Sequence, residues 1–184
     1  MQGLVLIDIQ NDYFPNGRMA LEGMDQAAAN ASQLLEHFRA KKYPIFHIQH
    51  TALQTGATFF LPGTSGAQIH RCVAPLPKEK VIGKHFPNSF LATGLQSTLE
   101  QADVKEVVFC GAMSHMCVDS TVRAGFDLGF RCIVAEDACA TKELTYNGQA
   151  IAAAKVHAAF RAALAHPFAR IIKTAQLVQN LCLK

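Results

Sequence analysis

The chain lacks a long apolar stretch, a basic run and any C-x-x-C pair, and each absence closes off a class of function. The apolar run Leu4–Ile7 is far too short to cross a bilayer, and residues 150–165 are interrupted by Lys155, His157 and Arg161. No membrane partner is expected. The 17 Lys and Arg are scattered, the formal net charge is only +3, and no basic stripe interleaves with aromatics. A nucleic-acid partner is therefore not expected. The first residues show neither a charged n-region nor a cleavage site, which predicts no secretory signal. Without one, Cys72, Cys110, Cys117, Cys132, Cys139 and Cys182 read as free thiols of a reducing, cytoplasmic protein. Internal repeats, linkers and low-complexity segments are also missing.

What is present fits one compact domain over residues 1–184. Half of the residues are hydrophobic and 17% are charged, enough apolar surface for a sizeable core. Gly3-Leu-Val-Leu-Ile-Asp8 is a short apolar run ending in a carboxylate, the signature of a central parallel strand. A turn-rich loop, Gln10–Gly17, follows. Ala27, Leu34, Leu35 and Phe38 then mark a helix that closes at Lys41, Lys42 and the Tyr43-Pro44 boundary. Strands are expected over Pro44–His50, Lys80–Gly83, Val107–Cys110, Arg131–Ala135 and Arg170–Lys173, and helices over Leu91–Leu99, Val118–Phe126, Ala150–Leu164 and Thr174–Leu181. The irregular stretch Thr51–Lys78 is long for a compact domain, which marks it as a lid or a partner contact with a helical turn near Ile69. Strands alternating with helices predict an α/β fold, a parallel sheet covered on both faces.

In such sheets ligands bind beyond the carboxyl ends of the strands. Asp8, Lys84 and Cys117 each stand at such an end. Cys117 lies where strand, turn and helix meet, a position at which free N–H groups and the helix dipole lower a thiol's pKa. Together the three residues supply a nucleophile, a base and a cation. The thiolate would attack a carbonyl carbon to give a thioester, Asp8 would take and return the proton, and Lys84 would favour both anions. Backbone N–H groups between Gly111 and Cys117 would hold the oxyanion. Singly, each residue has a plainer reading: a buried thiol, a turn carboxylate and a solvated lysine.

Three stretches, Leu6-Ile-Asp8-Ile-Gln10-Asn-Asp-Tyr13, Gly83-Lys84-His-Phe-Pro-Asn-Ser89-Phe90 and Gly111-Ala-Met-Ser-His-Met-Cys117-Val-Asp-Ser-Thr-Val-Arg123, resemble the isochorismatase-like cysteine hydrolases. That superfamily includes nicotinamidases, N-carbamoylsarcosine amidase and ureidoacrylate and biuret amidohydrolases. The likeness covers nearly the whole chain in order. It implies a three-layer α/β/α fold with a mostly parallel, Rossmann-like sheet of six strands, in homodimers or homotetramers. The resemblance further implies an Asp8–Lys84–Cys117 triad acting on a small-molecule amide, carbamoyl or lactam. A non-proline cis peptide is implied between Ala112 and Met113, with the Met113 and Cys117 N–H groups as oxyanion hole and Tyr13 as an aromatic wall of the substrate pocket.

Departures from the family pattern bear on the substrate. Nicotinamidases carry an Asp-x-His metal motif after the second strand, where this chain reads His47-Ile-Gln-His50-Thr-Ala without the Asp. His47, His50 and His70 remain candidate ligands, but alternation puts His47 and His50 on opposite faces, so no metal and no cofactor are expected. A cysteine at position 117 argues against cleavage of isochorismate itself. Glu136 and Asp137 could meet a polar substrate, although Asp137 reads better as the cap of the segment after it. Nicotinamidase, a non-catalytic protein that kept the fold, and a redox sensor without an evident resolving cysteine are the competing readings.

Overall fold

The strand Gln2–Ile7 (β1) is apolar because both of its faces are covered. Leu4 and Leu6 enter one core, and Val5 and Ile7 the other. Residues 1–182 are described by the computed structural model, and they form a six-stranded parallel sheet in the order β3-β2-β1-β4-β5-β8. The other strands are β2 (Ile45–His50), β3 (Lys80–Lys84), β4 (Glu106–Ala112), β5 (Arg131–Ala140) and β8 (Ala169–Ile172). A small antiparallel hairpin, β6 (Leu144–Tyr146) with β7 (Gln149–Ile151), precedes α4 (Ala153–Leu164). The remaining helices are α1 (Met24–Ala40), α2 (Leu95–Gln101), α3 (Asp119–Asp127) and α5 (Thr174–Cys182). No described helix is long and apolar enough to span a membrane.

The sheet's two cores divide the helices. Ala27, Ala31, Leu34, Leu35 and Phe38 of α1 pack with Leu177 of α5 against one face. Leu95 and Leu99 of α2, Val118 and Val122 at α3, and Leu164 of α4 cover the other. The layered parallel architecture inferred from sequence is the one observed. The chain runs outward from β1 to β2 and β3, then returns to the other side of β1 with β4. The switch point therefore lies between β1 and β4, where a parallel sheet opens a crevice for ligands.

Several boundaries differ from the sequence expectation. Gly111 does not end β4, which continues to Ala112, and β5 continues to Ala140 past a register shift between Phe109 and Gly111. Gly111 has φ +124, and a Cβ there would lie 2.0 Å from the Ile7 carbonyl oxygen, so only glycine fits against β1. Helix α2 begins at Leu95 and not Leu91, after the N-cap Gly94, and Thr93 Oγ1 just ahead of it accepts from Leu95 N at 3.2 Å. The β6–β7 hairpin carries no apolar alternation that would have revealed it.

The 51–78 stretch is irregular but anchored. Short 3₁₀ turns at Ser65–Ala67 and Arg71–Val73 flank Ile69, which bridges to Gln10. Gln10, fully buried, donates to His50 O and Ala67 O at 2.8 Å each and accepts from His50 N at 2.7 Å. The Asp12 carboxylate accepts from Phe60 N at 2.7 Å and Arg18 N at 3.2 Å. The loop after β1 thus holds the long loop against the carboxyl end of the sheet.

Candidate active site

Asp8 follows β1 directly and adopts φ 52, a left-handed conformation that a short polar side chain tolerates. Its backbone is fixed on both sides, with Asp8 N donating to Ile48 O at 3.1 Å and Gln10 N donating to Asp8 O at 2.9 Å. Lys84 is the last residue of β3. Cys117 lies within a π-helical turn, Ser114–Val118, between β4 and α3. All three side chains are buried. Three strands that are distant in sequence therefore deliver a carboxylate, an ammonium and a thiol to one point at the switch of the sheet.

The Lys84 ammonium is the centre of the cluster. Its Nζ lies 2.8 Å from Asp8 Oδ2, 2.9 Å from His50 Nδ1, 3.1 Å from Phe86 O and 3.3 Å from Cys117 Sγ. Asp8 Oδ1 is buried and has no hydrogen-bond partner among the described residues. Burial pushes the Asp8 carboxyl above the usual range, against the pull of Lys84. The Cys117 thiol is pushed up by burial and then by Asp8, with Lys84 opposing. This corrects the expectation of a thiol lowered by the helix start. Loss of solvent and a neighbouring carboxylate outweigh the dipole of a helix whose first turn is a π turn. Burial works against the Lys84 ammonium too, yet Asp8 and Cys117 hold its pKa above the ordinary lysine value. The resting arrangement is an Asp8–Lys84 ion pair beside a neutral thiol.

The Ala112–Met113 peptide is cis, as the family resemblance implies. The turn after it is pinned from outside. Ser114 Oγ is 2.9 Å from His157 Nδ1 on α4, and His115 Nδ1 is 2.6 Å from Thr141 Oγ1 beyond β5. Tyr13 is 1% exposed and packs against Phe60 and Phe59 of the long loop, with centroids at 4.6 and 5.9 Å. Burial, then the negative charge of Asp8, raises its phenol well above 10, so the ring is neutral.

The three histidines singled out as metal candidates go to three places. His47 Nε2 pairs with Glu79 at 2.9 Å on the α1 side of the sheet. His70 stacks on Phe14 at 3.6 Å and lies 3.0 Å from Cys72 Sγ. His50 alone joins the cluster, 3.9 Å from Asp8 Oδ2, and burial followed by the charge of Lys84 lowers its pKa to about 4. It is therefore neutral, accepting from Lys84 at Nδ1. Sequence reasoning assigned His50 no part beside Lys84, although both residues end neighbouring strands, at paired positions in the register. Asp137 does not cap the segment after it: its Oδ1 accepts from Thr174 N and Oγ1 at 2.8 Å each and starts α5.

Comparison with known proteins finds similarity over nearly the whole chain. The Isochorismatase domain model matches residues 2–176. The isochorismatase family protein YddQ of Bacillus subtilis is 52% identical, over 93% of this chain and 95% of its own. A streptothricin hydrolase of Streptomyces noursei is 31% identical, over 78% of this chain and 51% of its own. The crystal structure of an isochorismatase hydrolase from Oleispira antarctica superposes with a TM-score of 0.93 at 44% identity, covering 97% of this chain and 96% of that one.

Proposed function

The chain belongs to the isochorismatase family of hydrolases, and on that premise we propose that it hydrolyses the C–N bond of a small amide, carbamoyl compound or lactam through a thioester on Cys117. The observation that carries this reading is the ammonium of Lys84 held at 2.8 Å from Asp8 and 3.3 Å from Cys117, with all three groups buried. Burial makes the carboxylate a stronger base and the thiol a weaker acid than in water. Proton transfer to Asp8 therefore accompanies attack on the substrate carbonyl. The carbonyl oxygen becomes an oxyanion, held by the Met113 and Cys117 N–H groups. Collapse of the tetrahedral adduct expels the amine, which takes the proton from Asp8. Water then gives its proton to Asp8 and attacks the thioester, and Cys117 leaves as the thiol while the acid departs.

Tyr13, Phe59 and Phe60 form an apolar wall suited to a small substrate. Nicotinamide is disfavoured, because the histidines that might have replaced the nicotinamidase metal motif do not converge. Association into dimers or tetramers fits the exposed Tyr146 on the β6–β7 hairpin and exposed Phe86 and Met116 near the site. The test is a panel of small amides, ureides and lactams, streptothricin among them, assayed for amine or ammonia release beside Cys117→Ala. Turnover of a panel member that survives Cys117→Ala, Asp8→Asn and Lys84→Ala would overturn the assignment.

A further inference from the structure

We infer that the groove at the amino ends of β4, β5 and β8 binds a small amphipathic anion, an aryl or alkyl group ending in one carboxylate or sulfonate. The groove holds about 630 Å³ and lies between the end of α3 and the crossing from α4 into β8. That volume is within the range of small-molecule sites. Asp8, Lys84 and Cys117 stand at the opposite, carboxyl end of the sheet, so the groove is separate from the triad.

Two turns of the chain make its apolar part. Gly129, at φ +87, carries the chain out of α3 toward β5, and residues 165–168 carry it from α4 to β8. Between them Phe130, Cys132 and Ala169 form a buried floor continuous with the core on that face of the sheet. Phe126 and Phe168 make a wall, edge to face, with centroids 5.4 Å apart. Phe168 is held by Arg123, whose guanidinium lies 4.3 Å from the ring centroid while Asp119 pairs with it at 2.9 Å. Phe126 is nonetheless 38% exposed, and Leu128 beside it 41%. Large apolar side chains left open together beside a groove mark an interaction site.

Charge selects the occupant. Arg131, Arg170 and His166 line the groove, and among the described residues Glu106 is its only carboxylate. Glu106 is already engaged: one oxygen accepts from Gln2, and the other lies 3.5 Å from Arg131 Nε. Arg170 forms no ion pair among the described residues. The two arginines and one glutamate leave one positive charge in excess at the edge of an aromatic groove. A hydrophobic anion covers the rings and balances that charge, and a guanidinium fork matches its oxygens. A neutral ligand would leave Arg170 unpaired, and a cation would add like charge.

Anilinonaphthalene sulfonate titrated into the full-length protein tests the site by its fluorescence, with naphthoate and the neutral naphthylmethanol as competitors. One equivalent of dye should bind, naphthoate should displace it, and naphthylmethanol should compete at least about fivefold less well. Arg170→Gln and Arg131→Gln should each weaken naphthoate binding about threefold to fivefold, and added salt should weaken it further. Phe126→Ala should weaken both competitors alike. All three side chains reach solvent, so circular dichroism should show each variant folded. Should Phe126→Ala unfold, the arginine variants decide. Naphthoate should leave iodoacetamide alkylation of Cys117 unchanged. Protection of Cys117 would put the ligand at the triad and overturn the site, as would naphthoate binding indifferent to both arginines. Equal affinity for naphthoate and naphthylmethanol would reject the anion. No dye binding, with a sedimenting dimer that Phe126→Ala dissociates, would assign the groove to a second copy of the chain and refute the site.

Discussion

Two carboxylate–cation–histidine clusters sit on opposite faces of β2, and they behave in opposite ways. On the α1 face, Glu79 accepts from Arg39 Nε at 2.7 Å, Arg39 Nη2 and Leu76 N at 2.8 Å and His47 Nε2 at 2.9 Å. Burial alone would raise its pKa, but these donors pull it down to about 2. On the other face, Asp8 has a single cation and a buried oxygen with no partner, and burial wins. The kinds of group are alike, but Asp8 is fully buried with one cation beside it, whereas Glu79 is less deeply desolvated and has four donors. Glu79 is a latch that ties α1, β2 and the end of the long loop together. Asp8 is left short of donors, which keeps its lone pair available to a proton.

The largest effects should come from the undersupplied cluster. Cys117→Ala should lower turnover about 10⁵-fold, and Asp8→Asn about 10⁴-fold. Alkylation separates the two functions of Asp8. Its charge helps hold the Cys117 thiol up while Lys84 pulls it down. Asp8→Asn should therefore speed iodoacetamide alkylation of Cys117 at neutral pH while turnover collapses, and Lys84→Ala should slow it. If both substitutions slowed alkylation, Asp8 would be assisting thiolate formation in the resting protein and not opposing it. The pH profile should show the same base. Activity falls as Asp8 takes up a proton, so the acid limb of kcat/KM should lie above the ordinary carboxylate range.

Next in size is the stability held by the latch. Glu79 has a folded pKa of about 2 against an ordinary 4.5, so its contribution is complete above about 4.5 and is lost as pH falls toward 2. That contribution is on the order of 3 kcal/mol. Glu79→Gln should lower stability by about this much at neutral pH and flatten the acid dependence of urea unfolding, while turnover stays within about tenfold. A variant that keeps its stability but loses turnover would make the latch part of the catalytic machinery.

The sequence made one side of this comparison legible and left the other hidden. Asp8, Lys84 and Cys117 could be found because each follows an apolar run that can only be a buried strand, and parallel strands place their ends together. The sheet, most helices and the cis peptide followed from the same runs and from the family resemblance. Glu79 gave no signal, since a single glutamate near a Pro-rich stretch looks solvated until Arg39, 40 residues earlier, reaches it. The direction of the Cys117 shift was also misread. A helix start is visible in sequence, whereas the burial that outweighs it depends on tertiary packing, with Cys117 set in the same core cluster as Val5, Ile7 and Phe109 from strands elsewhere in the chain. The extension of β5 and the β6–β7 hairpin were missed because their residues do not alternate cleanly.

The smallest expected effects bear most directly on the comparison, because His47 and His50 lie three residues apart on one strand. His47 donates to a carboxylate that already has three other donors, and its Nδ1 is buried without a partner. His47→Ala should cost about 1 kcal/mol of stability and change turnover by less than about threefold. His50 accepts from Lys84 at 2.9 Å, so His50→Ala should lower kcat about tenfold with a smaller loss of stability, and His50→Asn should restore part of kcat. Proton linkage gives His50 a second signature. Its folded pKa of about 4 lies below the ordinary 6.5, so the unfolded chain binds a proton first as pH falls between those values. Stability should decline over that window, and His50→Asn should remove this share of the decline. Equal responses from the two histidines, in turnover and in the pH window, would mean that the faces of β2 do not differ in kind.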